Sequence, residues 1–160
     1  MSHLEDLLCE YYEWQGYIVR RNVKVGRLAH GGWEGELDIV AYHPKTRDLV
    51  HLEPSIDSLP WSERQGRFAR KFKVGTKYIR EVLPWLDSRA ALRQMAVLVS
   101  RGNGRDQIGG GEVRTIDEFV KEIRGRVLEQ GKMAKAAIPE QFTLLRTIQL
   151  VESGYYKRLD

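Results

Sequence analysis

Two short runs hold the residues best able to do chemistry. In Gly35-Glu36-Leu37-Asp38-Ile39-Val40 two carboxylates stand two residues apart. Side chains alternate along a strand, so the two would share one face, with Leu37 and Ile39 on the other. In His51-Leu52-Glu53-Pro54-Ser55 the histidine, the glutamate and the serine share a face in the same way, with Leu52 opposite. Between the runs, His43-Pro44-Lys45-Thr46-Arg47-Asp48 reads as a turn, which predicts a hairpin with Asp38 beside Glu53. Two carboxylates held that close repel unless a proton or a cation separates them. Mg²⁺ suits such a pair, because one or two carboxylates suffice when water and a substrate phosphate complete its oxygen shell. The plainer reading is a pair of polar residues on a half-exposed hairpin, and spacing alone favours it. His51 could join a metal, although a strand histidine hydrogen-bonded at a sheet margin is simpler.

The elements that must position these residues are legible from periodicity. Ser2 to Gln15 reads as a capped helix, with Leu4, Leu7, Leu8, Tyr11, Tyr12 and Trp14 at helical spacing and Gly16 as its stop. Tyr17–Val25 reads as a strand followed by a glycine loop, and Glu36–Tyr42 and Leu49–Ser55 as the hairpin. Pro54 lacks an N–H donor, which predicts an edge or a bulge there. Ser58 to Pro60 opens a long helix to Val82, with Trp61, Phe68, Phe72, Gly75, Ile79 and Leu83 inward and Pro84 as its end. Gln94–Val99 and Val113–Ile116 read as short strands and Asp117–Leu128 as a helix. Gln130–Ala137 reads as a linker, and a last helix runs from Pro139 to near Gly154. The order α-β-β-β-α-β-β-α-α predicts an α/β fold with a mixed central sheet flanked by helices. The expected division is one domain over 1–128, with 129–160 as a linker and helix packed on it.

Composition narrows the class. A chain of 160 residues, 42% of them hydrophobic, suits one core. No stretch approaches the roughly 18 apolar residues of a membrane span. The first ten residues carry three acids and no lysine or arginine, the wrong flank for a secretory signal, so a cytoplasmic protein without membrane contact is expected. The single cysteine, Cys9, allows neither an internal disulfide nor a cysteine zinc site. No H-E-x-x-H, phosphate loop or G-x-S-x-G occurs, which leaves a zincin protease, nucleotide hydrolysis and an esterase elbow without support. The net charge is only +4, but the basic residues cluster. Arg20, Arg21, Lys24 and Arg27 have no acid among them, and Arg64, Arg67, Arg70, Lys71, Lys73, Lys77 and Arg80 face Glu63 alone. Such segments read as a phosphate-facing surface for nucleic acid, through Arg64, Arg67, Arg70 and Lys73 with Arg20 and Arg21. A solvated helix face stands level with that reading for the second segment. Trp33, Trp61, Trp85 and Tyr78 could stack on bases; core packing is the simpler role for Trp61 and Trp85, and Trp33 is open. Tyr155-Tyr156-Lys157-Arg158 reads as a frayed terminus rather than a contact patch.

Taken in order, Glu5, Gly16-Tyr17, Arg21-Asn22, Gly35-Glu36-Leu37-Asp38-Ile39-Val40 and Leu52-Glu53 resemble the motif series of the PD-(D/E)XK nuclease superfamily, which includes restriction enzymes and archaeal Holliday-junction resolvases. The resemblance covers residues 5 to 55 and gives nothing beyond about residue 110. It implies a restriction-endonuclease-like fold and a nuclease that uses Mg²⁺ or Mn²⁺. Asp38 and Glu53 would be metal ligands, with Glu5 holding the metal or a water on it. The E-x-K lysine of the family is replaced by Ser55, which carries no charge. Either another lysine reaches the same point, Lys71 first with Lys73 and Lys77 behind it, or the site is degenerate and the domain binds nucleic acid or a protein without cutting. The kind of nucleic acid stays open, as does a homodimer that would cut two strands.

Overall fold

The computed structural model describes residues 2–86, 90–102 and 104–156. In chain order the elements are α1 (His3–Trp14), β1 (Ile18–Arg27), β2 (Trp33–His43), β3 (Asp48–Ser55), α2 (Trp61–Val82), β4 (Leu92–Leu98), β5 (Gln107–Ile108), β6 (Gly111–Thr115), α3 (Ile116–Gln130), α4 (Met133–Ala136) and α5 (Thr143–Glu152). The strands form one open, mixed sheet in the order β1-β2-β3-β4-β6-β5. β1, β2 and β3 pair antiparallel, β3, β4 and β6 parallel, and β5 returns antiparallel to β6. A parallel neighbour needs a crossover, and α2 supplies it between β3 and β4.

The alternating residues of the strands feed two cores. Ile39, Ala41, Val50, Leu52, Met95 and Val97 pack under α1, α3 and α5, against Leu8, Tyr12, Phe119, Ile123 and Leu145. On the other face, α2 buries Phe68 and Phe72 against Ala96, Leu98 and Val113, and Val74 and Ile79 against Val40, Tyr42 and Leu49. At about 25 cal/mol per Å² of apolar surface, these two faces supply the main driving force of folding.

The hairpin of β1 and β2 departs from simple alternation. Val19 and Ile39 enter the α1 core, whereas Val23, Val25 and Leu37, of the same parity, enter the α2 core. Leu37 and Ile39 therefore do not share a face as expected. The break falls where the register sets Asn22 across from Asp38, and Asn22 has a left-handed backbone, φ 50°. That conformation turns the ribbon so that its far half folds over α2.

Pro54 is buried in an interior strand rather than at an outer edge, paired in register with Val97 of β4. It is tolerated because β2 pairs with β3 only as far as Leu52. Past that point β3 has a neighbour on one side alone, so a missing donor on the other breaks no ladder bond.

The C-terminal segment is tied in by buried polar groups. α5 begins at Thr143, later than Pro139, and has no side-chain cap of its own. Instead the Glu10 carboxylate, on α1, accepts from the Leu144 and Leu145 amides at 2.9 and 3.1 Å. Gln149 donates to the Gly131 and Ala136 carbonyls and accepts from the Ile138 amide, each at 2.9 Å. This pins the segment read as a linker, which holds the short α4. Trp85 does not enter the core: it follows Pro84 beyond α2, is half exposed, and packs edge-on against Tyr42. Trp33 is also exposed, and Trp61 half-buried. Lys157 and Arg158 lie outside the described residues. No described helix is long and apolar enough to cross a membrane.

Candidate active site

The divergence of β2 from β3 opens the gap in which Asp38 and Glu53 meet. Glu53 is fully buried. Its Oε1 faces the Asp38 amide at 3.4 Å and the His51 Nε2 at 2.7 Å. The tautomer of His51 follows from its other neighbour. Gln94 Nε2 lies 2.8 Å from the Phe72 carbonyl, so that atom is the amide nitrogen. It also lies 3.3 Å from His51 Nδ1, which must then accept, leaving the Nε2–H to donate to Glu53. Gln94 Oε1 lies 3.3 Å from the Thr76 hydroxyl, whose one proton it shares with the nearer Phe72 carbonyl at 3.0 Å. Thr76, Gln94 and His51 form a chain that fixes the buried carboxylate. Gly75 makes room for it, because a Cβ there would overlap the His51 ring.

Lys71 closes the site from above. Held between Phe68 and Phe72, it donates from Nζ to Asp38 Oδ2 at 2.8 Å and also to Glu53 Oε2. Three groups from three elements thus share one charge cluster. Burial pushes the Asp38 carboxyl up to about 7, and the neighbouring Glu53 adds to this, while Lys71 pulls the other way. Burial opposes ionisation of Glu53 too, but His51, Asp38 and Lys71 outweigh it and hold Glu53 below the usual carboxylate range. The pair therefore keeps one carboxylate ionised and the other close to its titration point at neutral pH.

The remaining expected residues divide. Glu5 stays on the first turn of α1, where it accepts from the Ser2 hydroxyl at 3.1 Å, and lines a cleft of about 250 Å³ with Ser55, Asp57 and Arg67. Asp38 and Glu53 meet under Lys71, while Glu5 lies in the cleft beside Ser55. Arg64 is buried, and its guanidinium donates to Asp57 Oδ1 at 3.1 Å and to the Asp57 carbonyl. Arg67 pairs with the same carboxylate at 2.6 Å. Arg21 turns back onto α1, to Glu13 at 3.1 Å and Asp6 at 3.5 Å. Arg20, Arg70 and Lys73 are exposed. Lys77 pairs with Glu34 at 2.7 Å, away from the carboxylate pair.

Sequence reasoning passed over Asp57 and Gln94. Burial opposes ionisation of Asp57, but the Ser55 hydroxyl, the Leu59 amide and the Arg67 and Arg64 guanidinium groups outweigh it and hold its carboxyl below the usual range. Its one signal is an acid just ahead of an arginine-rich helix. Gln94 stands out only as a polar residue entering an apolar strand. Comparison with known proteins finds no family model that matches this chain and no curated protein that matches it.

Proposed function

We propose that this chain is a metal-dependent phosphodiester hydrolase acting on DNA or RNA, built on a restriction-endonuclease-like domain of the PD-(D/E)XK kind. The observation that carries the reading is the Lys71 ammonium on both Asp38 and Glu53. Two carboxylates and a lysine are the charge set of such a site, here with the lysine on α2 rather than on β3. The donor set fits Mg²⁺ or Mn²⁺: two hard carboxylates from adjacent strands, one ionised and one easily deprotonated, with water and phosphate left to complete the shell. Asp38 and Glu53 would hold the ion, which when bound supplies Lewis-acid stabilisation and an activated water.

The chain's own residues have separate tasks. His51 keeps Glu53 oriented through the 2.7 Å contact, so no reorganisation is needed when a phosphate arrives. Lys71 offers hydrogen-bond donors where the phosphate oxygens gain charge, a preorganised contribution of the oxyanion-hole type. Asp38 must lose its proton before it can bind a cation. Arg67, Arg70 and Lys73, on the same helix as Lys71, would meet the flanking phosphates, and Arg20 would add to them from β1. Affinity should then fall steeply as salt rises.

The test is cleavage of duplex, branched and single-stranded DNA and RNA with Mg²⁺ or Mn²⁺ and with a chelator. Cutting that needs metal and is lost in Asp38→Asn, Glu53→Gln and Lys71→Ala is the expected result. A chain that cuts nothing with either metal is not a hydrolase.

One observation favours a second reading. An ammonium bridging both carboxylates, together with a proton on Asp38, balances their charge without a metal, as expected of a degenerate site that binds nucleic acid or a protein without cutting. If moving the lysine back, in Ser55→Lys with Lys71→Ala, creates cleavage that the natural chain lacks, that reading holds. Salt-independent binding, or none at low salt, would point to a protein partner.

A further inference from the structure

A second cleft, of about 390 Å³, opens at the carboxyl ends of the parallel strands β3 and β4. Its walls include Ile56 and Val99, the residues that immediately follow the two strands, together with Trp61. Ile56 is 67% exposed and Val99 54% exposed, although the strands they leave are buried throughout their ends. The Arg105 guanidinium lies 4.8 Å over the Trp61 ring. Ile56 and Asp57 also line the smaller cleft that holds Ser55 and Arg67, so the two clefts adjoin. Ser55 is two residues from Glu53, and Arg67 is one helical turn from Lys71. The lining therefore begins within two residues of Glu53 and one helical turn of Lys71.

Its chemistry is specific. Apolar side chains, an indole and a guanidinium plane make a surface for a flat, apolar-faced ring. Four arginines line the adjoining clefts, Arg64, Arg67, Arg101 and Arg105, against two carboxylates, Glu5 and Asp57. Arg64 and Arg67 share Asp57, and Arg101 pairs with Glu118 at 2.6 Å and Asp106 at 3.4 Å, which leaves the Arg105 guanidinium over Trp61 as the group to meet an anion. A nucleotide of a nucleic-acid strand has this form, a flat ring attached to an anionic chain. In a duplex the faces of the bases are stacked on one another and cannot enter such a cleft; an unpaired base can.

Resting on the hydrolase reading above, we propose that the Ile56–Val99–Trp61 cleft receives an unpaired nucleotide of the substrate strand next to the phosphate held at Asp38, Glu53 and Lys71. The substrates are then single strands, or duplexes interrupted by unpaired nucleotides. A base stacks on the Trp61–Arg105 pair or takes the place of the guanidinium on the indole.

The test is anisotropy titration of labelled oligonucleotides, DNA and RNA, by the full chain in a chelator. Three ligands are compared: a blunt duplex, the same duplex with one unpaired nucleotide, and that duplex with an abasic unit in its place. The unpaired nucleotide should tighten binding over the blunt duplex, in DNA or in RNA, by about 5- to 150-fold, the worth of one stacked base. The abasic unit should remove the gain. Ile56→Ser, at a surface position that does not threaten folding, and Trp61→Ala should remove it as well, and neither should weaken the abasic ligand further. The inference is overturned if the blunt duplex binds as well as the interrupted one, if the abasic ligand keeps the gain, or if the variants weaken all three ligands alike. Failure of the underlying reading is distinct. Base-dependent binding without metal-dependent cleavage keeps the cleft and removes the hydrolase. Cleavage of the blunt duplex without base dependence does the reverse. No binding of any ligand at low salt removes both.

Discussion

Replacing Lys71 by alanine separates the two things its ammonium does. The side chain is 26% exposed and touches a carboxylate with no exposure, Glu53, and one with 16%, Asp38. Breaking a buried ion pair from one side typically costs about 3–5 kcal/mol. Three features reduce that here. Glu53 keeps His51 and the Asp38 amide as donors, solvent reaches the site along the lysine stem, and a proton can replace the ammonium at about 1.4 kcal/mol per pH unit. We expect a loss of about 1–3 kcal/mol at pH 8, or about 2–12 °C in Tm for a chain of this size. The sign of the pH effect follows from the carboxyl pair. Without Lys71 its pKa rises further above the unfolded value, so the folded variant binds more protons than the unfolded one. Its deficit should therefore grow from about pH 5 to pH 8. Cleavage should fall at least about 100-fold, the usual effect of losing one transition-state donor. Mn²⁺ binding should persist or tighten, because a competing cation has gone. Denaturation at the two pH values, calorimetry and a cleavage assay read all three. An equal stability loss at both pH values would make Lys71 a packing residue, and cleavage within a few-fold of the natural chain would assign the donor elsewhere.

Metal affinity should depend on pH through Asp38, whose carboxyl is raised from 3.8 to about 7. It must deprotonate to bind, so Mn²⁺ affinity measured by calorimetry should rise up to about tenfold per unit below pH 7 and level off above. A flat profile, or equal binding by Asp38→Asn, counts against the site. The same shift makes the Asp38 contribution to stability complete below pH 3.8 and lost as pH rises through about 7, a loss that bound metal should offset in melting curves. Gly75→Ala would drive a methyl into the His51 ring and should cost about 1–3 kcal/mol in denaturant unfolding; an unchanged midpoint would mean that His51 does not pack under α2. Arg70→Ala and Lys73→Ala should each lower the salt slope of nucleic-acid binding by about one without changing the melting temperature. Arg64→Ala should destabilise the chain instead, and if it behaves like the other two, the Asp57 contact is not formed in solution.

The parts of the fold legible in the sequence are those set by local pattern. The helical stripe of α1, the paired runs of β2 and β3 and the Phe68–Phe72 face of α2 each carry a period that only one element satisfies. The parts that were not legible depend on distant partners. The face switch between Ile39 and Leu37 comes from a left-handed Asn22 on another strand. The interior place of Pro54 depends on where β2 leaves the sheet. Glu10 as the cap of α5 joins residues more than a hundred positions apart. At the site, the neighbourhood of Asp38 and Glu53 could be read from hairpin spacing, whereas the Gln94–His51 contact needs the β3–β4 register. The basic helix showed its charge but not its allocation. Pattern alone does not say that Arg64 is consumed by Asp57 while Arg70 is left in water.

That allocation also bears on the proposal that Lys71 supplies the cation expected from β3. Ser55 is nearly buried, and its hydroxyl donates to Asp57, the carboxylate that orients Arg64 and Arg67. A lysine at this position would lose that hydrogen bond and bring a third cation to a carboxylate already serving two. It would also bring a second ammonium towards the pair that Lys71 already meets. With Lys71 in place, position 55 is free to organise the arginines at the start of the groove, and the cation for the carboxylates comes from a helix that must pack there in any case through Phe68 and Phe72. The two positions are then coupled: a lysine is tolerated at one only when the other gives it up. For this reason the informative reversal is the exchange of both residues, since Ser55→Lys alone adds a charge to a site that already has its own.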